Sequence, residues 1–296
     1  MKDFHGNDPR FIFHLLNRFD LKRFASGAGV PTLNRNFVND EIVCIPPFPE
    51  QLRIVRILDQ SFAAVATAKE NIGKNLENSR ALFEHYLTSA FQRSDGGQKY
   101  VPLGTIAVFR NGINFTQRSK GERVSIVGVK DFQDNFWVPQ QNLETVTIDG
   151  SLPETDRLTK GDILAVRSNG NIQLIGRTML AGEVSGHLSH SGFTIRIRLQ
   201  TDEVLPEYLC NFMRSAAARK RLVEGGTGVN IKSLNQQTLS TLLVPSPPAP
   251  EQHAIVNRIR EVSLETQHLQ SLYRRKLAAL DELKKSLLHQ AFSGNL

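Results

Sequence analysis

The sequence has few cysteines and no long hydrophobic run. Cys44 and Cys210 are the two cysteines among 296 residues, too few for the disulfide framework of a secreted domain or for a four-ligand zinc site. No run of about 20 apolar residues, the length that crosses a bilayer, is present. The opening residues MKDFHGNDPR lack the apolar centre of a signal peptide. These absences predict a reducing, cytoplasmic location and no insertion into a membrane.

Motifs of the common nucleotide-dependent enzymes are also missing. The stretch GGTGVNIKS lacks the spacing of a phosphate-binding P-loop. No glycine fingerprint follows a strand pattern, as a dinucleotide-binding or S-adenosylmethionine-binding fold would require. No tetrapeptide like the NPPF or DPPY of amino-methyltransferases occurs. We therefore expect no catalytic residues and no cofactor in this chain.

Two sets of polar residues could belong to a metal or nuclease site. His187 and His190 stand three positions apart, but no cysteine or third histidine lies near them, which favours a turn with hydrogen-bonded imidazoles. Several carboxylates also lie in loop-like sequence with no lysine at a nuclease-like spacing, and we interpret them as solvated. These carboxylates are Asp131, Asp134, Glu154 and Asp156. The sequence predicts no metal site.

Basic residues outnumber acidic ones. The chain has 36 lysines and arginines against 29 acidic residues, a formal charge of +7, and its isoelectric point is about 9.5. The hydrophobic fraction of 40% is sufficient for a packed core. The excess of positive charge favours a polyanionic partner, nucleic acid before a membrane surface.

One long stretch occurs twice, at a constant offset of 201 residues. The first copy begins PPFPEQLRIV at Pro46 and the second begins PPAPEQHAIV at Pro247. Both copies end in Ala-Phe, at Phe91 and Phe292. Further shared positions are Pro49/Pro250, Glu50/Glu251, Gln51/Gln252 and Val55/Val256. An internal repeat of this length indicates two structural units of one design.

Each copy has the pattern of one long helix of roughly 60 Å. A proline and a glutamate stand in the first turn, where a missing N–H costs little and a negative charge is favourable. Apolar residues then recur every three or four positions, which predicts a coiled-coil seam. The first seam is Ile54, Leu58, Ser61, Val65, Ala68, Ile72, Asn75, Ser79, Leu82 and Tyr86. The second is Ile255, Ile259, Val262, Thr266, Leu269, Tyr273, Lys276, Leu280, Leu283 and Leu287. The equivalent polar residues Asn75 and Lys276 either fix the register of pairing or face solvent.

Between the copies, from about residue 100 to 245, the sequence has short strand patterns. RVSIVGVKDF and SGFTIRIRLQ alternate apolar and polar residues, and GDILAVRSNGN predicts a turn, a buried strand at 163–166 and a polar loop at 167–171. PEYLCNFMRSAAARKRLVEG predicts one closing helix. The predicted fold class is α+β, with one mixed α/β domain and two long helices that form an antiparallel coiled coil.

Residues 1–45 have the pattern of the end of such a domain. A helix, a glycine turn and a strand precede the first long helix, as they precede the second, and the glycines of the two turns align as Gly27/Gly226 and Gly29/Gly228. We therefore divide the chain into four parts. They are a domain remnant (1–45), a first long helix (46–93), a complete domain (94–246) and a second long helix (247–296).

These segments together resemble the DNA-specificity subunit of type I restriction–modification enzymes. The two helix starts, the GDILAVRSNGN segment and the GGTGVNIKSLN turn carry the resemblance through their order and repetition. In that family two target-recognition domains alternate with two long helices, and each domain reads half of a split DNA sequence. The helices set the spacing and dock the modification and restriction subunits. The resemblance implies a non-catalytic recognition subunit, here without most of its first target-recognition domain.

Candidate DNA-binding residues lie in the loops of the complete domain. Bases are read by donors and acceptors at their edges, and register is set by phosphate contacts. The base contacts could come from Arg167, Ser168, Asn169 and Asn171, since arginine pairs with guanine and asparagine with adenine. The turn with Thr227, Asn230 and Lys232 offers N–H groups and a cation to a phosphate. Further polar or basic loop candidates are Asn111, Lys120, Lys130 and Arg177.

The expected partners are double-stranded DNA, methyltransferase subunits and a restriction subunit. A homodimer would present two identical domains and predict an interrupted palindrome as target, and a complementing half-subunit is the other arrangement left open. The alternative function is a scaffold or regulatory coiled-coil protein that docks the same subunits without reading sequence. An autonomous endonuclease is a third.

Overall fold

The computed structural model describes residues 3–19, 24–26, 32–33, 35–39, 41–92, 99–133, 135–184, 186–224 and 233–296. The chain divides into two compact units. The first, here called the helical unit, comprises Met1–Arg80 and Thr266–Leu296, and the second, the module unit, comprises Ala81–Glu265. Each of the two long helices contributes residues to both units.

The helices and strands are numbered in chain order. The helices are α1 (Pro9–Arg18), α2 (Arg35–Asn39), α3 (Phe48–Ser89), α4 (Leu103–Ile106), α5 (Pro206–Arg214), α6 (Ala216–Glu224), α7 (Gln236–Ser240) and α8 (Ala249–Phe292). The strands are β1 (Ala25–Ser26), β2 (Thr32–Leu33), β3 (Tyr100–Pro102), β4 (Ala107–Asn111), β5 (Arg123–Val127), β6 (Glu144–Thr147), β7 (Ile163–Val166), β8 (Thr178–Leu180), β9 (Leu188–His190), β10 (Thr194–Leu199) and β11 (Leu243–Pro245).

Both repeated stretches form the long helices that the sequence predicts. Helix α3 has 42 residues and α8 has 44, and each has its proline in the first turn, where the missing N–H is not needed. In the helical unit, Leu58 near the start of α3 shares a core with Leu288 near the end of α8. In the module unit, Leu87 near the end of α3 shares a core with Val256 near the start of α8. The helices therefore pack together antiparallel, as predicted.

The buried face of this helix pair differs in detail from the predicted seam. Leu82, Leu269 and Leu283 are 59%, 40% and 46% exposed. Asn75 and Lys276 are also exposed, so they face solvent and do not set the register from a buried position. A straight helix drifts by about 20° per heptad relative to a strict seven-residue repeat, so positions that follow the repeat leave the contact face.

In the helical unit, α1 packs on the long helices. The Asp8 side chain accepts hydrogen bonds from the N–H groups of Arg10 and Phe11, which caps the helix where the sequence predicted one. The fully buried ring of Phe11 lies 5.2 Å from the ring of Phe292. The predicted glycine turn with Gly27 and Gly29 lies outside the described residues.

The module unit contains antiparallel sheets and one mixed sheet beside its helices, in keeping with the predicted α+β class. A four-stranded antiparallel sheet has the order β4-β10-β7-β8, and a three-stranded sheet has the order β6-β5-β9, with β5 and β9 parallel. Strand β11, just ahead of α8, pairs antiparallel with β3, just after α3. Every residue of β7 is buried, as the sequence predicts for 163–166.

Two predictions for this unit were wrong in detail. The single closing helix is two helices, α5 and α6, because the buried Ser215 between them has an extended backbone. The strand-like segment before the second long helix contains α7, which begins where the Asn235 side chain accepts from Thr238 N–H. Serine and asparagine compete with helical hydrogen bonding through their own side chains, which explains both positions.

A buried ion pair fixes the start of β7. Asp162 is 1% exposed. Its Oδ1 accepts from Nε and its Oδ2 from Nη2 of Arg198 in β10, each at 2.7 Å. Thr159 N–H donates to the same carboxylate at 2.7 Å. This bidentate bond raises the pKa of Arg198, so the guanidinium stays charged.

Among the described residues, no helix combines the length and apolar character needed to span a bilayer.

Candidate nucleic-acid interface

Several predicted DNA-binding residues lie at the same end of the four-stranded sheet. Because neighbouring strands are antiparallel, strands β4 and β7 finish at this end and strands β10 and β8 start there. Asn111 ends β4, the loop 167–171 follows β7, and Arg177 precedes β8. The exposed Phe193 precedes β10 at the same edge. We call these residues the loop edge.

Main-chain hydrogen bonds hold the start of the 167–171 loop. The N–H groups of Arg167 and Ser168 donate to the carbonyl of Phe193 at 2.8 and 3.3 Å. The carbonyl of Arg167 accepts from Leu234 N–H at 2.8 Å and from the Ser233 hydroxyl at 3.4 Å. The Arg167 guanidinium approaches the Gly192 carbonyl at 3.4 Å. The loop therefore starts from a fixed backbone, as a recognition element requires.

Asn169 and Asn171 use their side-chain oxygens within the loop. Asn171 N–H donates to Asn169 Oδ1 at 2.8 Å, and Gln173 N–H donates to Asn171 Oδ1 at 3.0 Å. Within the described part of the chain, neither amide nitrogen makes a hydrogen bond. These nitrogens can donate to acceptors on base edges. A two-point contact with adenine would also need the amide oxygen, which already accepts a hydrogen bond from a main-chain N–H of the loop.

Arginines line the next part of the edge. Arg177 donates to the carbonyls of Gln133 at 2.7 Å and Gln173 at 3.2 Å. Arg219 of α6 donates to the same Gln173 carbonyl at 2.8 Å. Arg214 of α5 donates to the Thr178 carbonyl at 2.8 Å and lies over the Phe136 ring.

These arginines keep their positive charge. Burial lowers the pKa of Arg219, and the nearby charges of Arg177 and Arg214 lower it further. Guanidinium is nevertheless protonated at any physiological pH. The hydrogen-bond acceptors of Arg177 and Arg219 are neutral main-chain carbonyls, which hold the side chains without cancelling their charge. The residues predicted from the sequence include Arg177 but not Arg214 and Arg219, because RSAAARKRL has the composition of an ordinary helix surface.

The remaining predicted cations are placed differently. Lys130 lies in a 3₁₀ turn that follows β5, a strand of the three-stranded sheet. Its Nζ is 2.7 Å from Oε2 of Glu144. This hydrogen bond raises the pKa of Lys130. Lys120 N–H donates to Asp149 at 2.9 Å. Thr227, Asn230 and Lys232 lie outside the described residues.

The histidines and carboxylates considered as metal ligands have other partners. His190 is buried, its Nδ1 lies 2.9 Å from Thr194 Oγ1, and burial lowers its pKa to about 3. His187 pairs with Glu122. The carboxylates bond locally, with Asp131 accepting from Gly128 N–H, Glu154 pairing with Arg157 and Asp156 pairing with Arg110. Asp134 lies outside the described residues. No cluster of three possible metal ligands occurs in the described ranges.

Comparison with known proteins gives a consistent result. No protein-family model matches the chain. It is 25% identical over 307 residues to the type I restriction enzyme StySPI specificity subunit of Salmonella potsdam, covering 97% of this chain and 65% of that protein. It is 25% identical over 312 residues to the EcoKI specificity subunit of Escherichia coli K12, covering 99% of this chain and 66% of that protein. The chain thus spans just under two thirds of the length of these relatives.

Solved structures share the fold. A chain from a study of complex assembly in the type I R-M system matches with a TM-score of 0.79 and 19% identity, covering 98% of this chain and 72% of that one. The HsdS subunit from Thermoanaerobacter tengcongensis matches with a TM-score of 0.61 and 21% identity, covering 98% and 71%. Along nearly its whole length, the chain is a homologue of type I restriction enzyme specificity subunits and has an HsdS-like fold.

Proposed function

We propose that the chain is the non-catalytic sequence-recognition subunit of a type I restriction–modification complex, and that its module unit reads one DNA half-site. The observation that supports this most directly is the loop edge. There the 167–171 loop, Asn111 and Arg177 come together at one end of a buried sheet, with donors directed by fixed backbone.

The polar groups of this edge would divide the work of recognition. Arg167 and the amide nitrogens of Asn169 and Asn171 would contact base edges, which carry the sequence information. Arg177, held by carbonyls, would contact a phosphate and set the register of the module on the duplex. The segment with Thr227, Asn230 and Lys232 would add phosphate contacts, because its sequence offers N–H groups and a cation. It is followed by Ser233, whose hydroxyl donates to the Arg167 carbonyl.

The long helices would dock the methyltransferase subunits. In the helical unit, Leu269 and Leu283 are exposed two heptads apart on α8, with Lys276 halfway between them. Exposed apolar residues aligned on one helix face are typical of a protein-binding surface. Catalysis, S-adenosylmethionine, ATP and the contact with a restriction subunit would belong to these cytoplasmic partners.

One complete module would read one half-site. We propose the domain division 1–45, 46–93, 94–246 and 247–296, with the first part equivalent to the end of a recognition domain. Two half-sites would then be read by a homodimer, on an interrupted palindrome, or by this chain with a complementing half-subunit.

Methylome sequencing tests the proposal. Host strains with and without the gene would be compared, together with the deletion strain complemented by the wild-type gene. We expect one split motif to lose its methylation in the deletion strain and to regain it on complementation. Unchanged methylation would contradict the proposal. A scaffold would instead leave the purified module with no preference between the motif and a scrambled duplex, measured by fluorescence anisotropy across a salt series.

A further inference from the structure

Two arginines from different elements of the module unit share one main-chain acceptor. Arg177, just ahead of β8, donates through Nε to the Gln173 carbonyl at 3.2 Å, and Arg219 of α6 donates through Nη2 to the same oxygen at 2.8 Å. A second carbonyl, that of Gln133, accepts from Arg177 Nη1 at 2.7 Å. The two guanidiniums are therefore close neighbours, although they are far apart in the sequence.

The turn that carries Gln173 packs directly on α6. Gly176 has a φ of +73°, and a β-carbon there would already be in van der Waals contact with Leu222 of α6. Leu222 is buried and lies one helical turn after Arg219, so the two side chains leave the helix on the same face. Gly176 N–H donates to the Val166 carbonyl at 2.9 Å, which ties the turn to the end of β7. This packing holds the two arginines in place relative to each other.

Each guanidinium keeps one unused donor nitrogen. Within the described part of the chain, Arg177 Nη2 and Arg219 Nη1 make no hydrogen bond, and neither atom is buried. Each of these nitrogens carries N–H donors that can point to a ligand. Because the carbonyls of Gln133 and Gln173 already fix the side chains, a ligand would not have to order them on binding.

The positive charge of the pair is not balanced locally. Burial lowers the pKa of Arg219, and the nearby charges of Arg177 and Arg214 lower it further, because like charges held close together repel. The charge of Glu84 on α3 raises this pKa in part, but in the ranges that the structure describes its carboxylate makes no ion pair or hydrogen bond. A bound anion would relieve the repulsion between the guanidiniums.

We propose that Arg177 and Arg219 form a binding site for one phosphate group, contacted by Nη2 of the first and Nη1 of the second. The oxygens of a phosphate group are arranged tetrahedrally, so guanidiniums from two elements can each bind a different oxygen. The two coplanar oxygens of a carboxylate are commonly both taken by one guanidinium. The phosphate comes either from the backbone of DNA at the loop edge, where the site rests on the proposed function, or from a free phosphate-bearing molecule.

Titration of inorganic phosphate into the full chain at constant ionic strength, followed by phosphorus NMR, tests the site. We expect saturable binding that Arg177→Gln and Arg219→Gln each weaken about tenfold or more, because each removes a charge-assisted donor. Arg221→Gln removes the same charge from an exposed position of α6 and should bind phosphate as the parent does. Thermal melting identifies the folded variants, and Arg219→Lys, which keeps the charge but not the planar group, should also weaken binding. No saturable binding by the parent, or equal binding by the parent and the folded variants at both arginines, would overturn the proposal.

Duplex DNA distinguishes the two sources of phosphate. If the DNA backbone supplies it, a saturating duplex should displace inorganic phosphate from the parent. The double variant Arg177→Gln, Arg219→Gln should then reduce the slope of log K against log salt by about 0.9, the value for one phosphate, and a reduction of about 1.8 would overturn the sharing of one group. Inorganic phosphate that stays bound beside the duplex would assign the site to a free phosphate-bearing molecule. A chain with no preference for its methylated motif would contradict the proposed function, whereas its binding of inorganic phosphate would be unaffected.

Discussion

Gln51 and Gln252 are buried and make the same pair of hydrogen bonds, each to a helix N-cap N–H and to the carbonyl of a proline five residues earlier. Replacing Gln252 with Ala leaves the Leu205 N–H and the Pro247 carbonyl without partners in a buried position. We expect the module to lose roughly 2–4 kcal/mol of unfolding free energy, since each unsatisfied buried group costs about 1–3 kcal/mol. Urea unfolding measures it. Gln60→Ala, at an exposed position of α3, is the control and should change stability by under about 0.5 kcal/mol.

The Asp162–Arg198 pair should be essential for the module's stability. Asp162→Ala removes the buried carboxylate that binds Thr159 N–H and Arg198, whose side chain is 28% exposed, and we expect a loss of roughly 3 kcal/mol, the lower end of the range for breaking a buried pair. Denaturant unfolding measures the loss. Glu183→Ala removes an exposed carboxylate paired with Lys160 and serves as the control, with a change below about 1 kcal/mol. Equal effects of the two substitutions would contradict the importance of the buried pair.

Stability should fall as the pH is lowered below 7. Burial lowers the pKa of His190 to about 3 in the folded chain, whereas an unfolded histidine has a pKa of about 6.5. Between these values the unfolded state binds more protons, so lowering the pH favours unfolding. From pH 7 to pH 5 we expect this residue to account for a loss of roughly 2 kcal/mol. The difference between the parent and His190→Asn, followed by thermal melting across that range, isolates the contribution, and parallel pH profiles would exclude it.

Arginine variants should separate base reading from phosphate contact. Arg167→Ala should reduce the preference for the cognate duplex over a mismatched one by about 1–3 kcal/mol. Arg177→Ala should weaken binding to both duplexes equally and reduce the slope of log K against log salt by about 0.9. Lys160→Ala, which removes one positive charge at the opposite end of β7, is the matched control. Anisotropy titrations at several salt concentrations give both quantities, and identical behaviour of all three variants would exclude the loop edge.

The exposed leucines of α8 should bind the modification subunits. Leu269→Glu combined with Leu283→Glu replaces the two exposed leucines with carboxylates without altering a buried residue. We expect co-purification with the host methyltransferase subunit to be lost while DNA binding by the isolated chain is kept. Glu282→Gln, a change on an exposed neighbouring position, serves as control. Retained co-purification of the double variant would place the docking surface elsewhere.

Local signals in the sequence were sufficient for the long helices. The PPxPEQ starts and the three- and four-residue apolar spacing predicted α3 and α8 and their antiparallel pairing. The shared Gln51 and Gln252 were visible as a repeated pair. Their partners were not, because Asp8 and Leu205 lie 43 and 47 residues upstream and are brought near only by folding.

The candidate site could be predicted only in pieces. The polar loop after a buried strand was apparent from GDILAVRSNGN, whereas its proximity to Asn111 and Phe193 depends on the strand order β4-β10-β7-β8, which no local pattern encodes. Arg214 and Arg219 were missed because helical arginines are usually surface residues without a specific partner. The break at Ser215 was missed because the alanines and arginines around it are strong helix formers.

The start of the 167–171 loop is anchored through main-chain atoms, with the Phe193 carbonyl and the Leu234 N–H holding its path. Main-chain anchoring does not depend on which side chains stand at Arg167 and Ser168. Under the proposed function, substitutions there would alter the preferred bases while the underlying strands keep their pairing. A few point changes in one loop would then give the protein a new target, and the enzyme subunits proposed to assemble with it would follow to the new sequence.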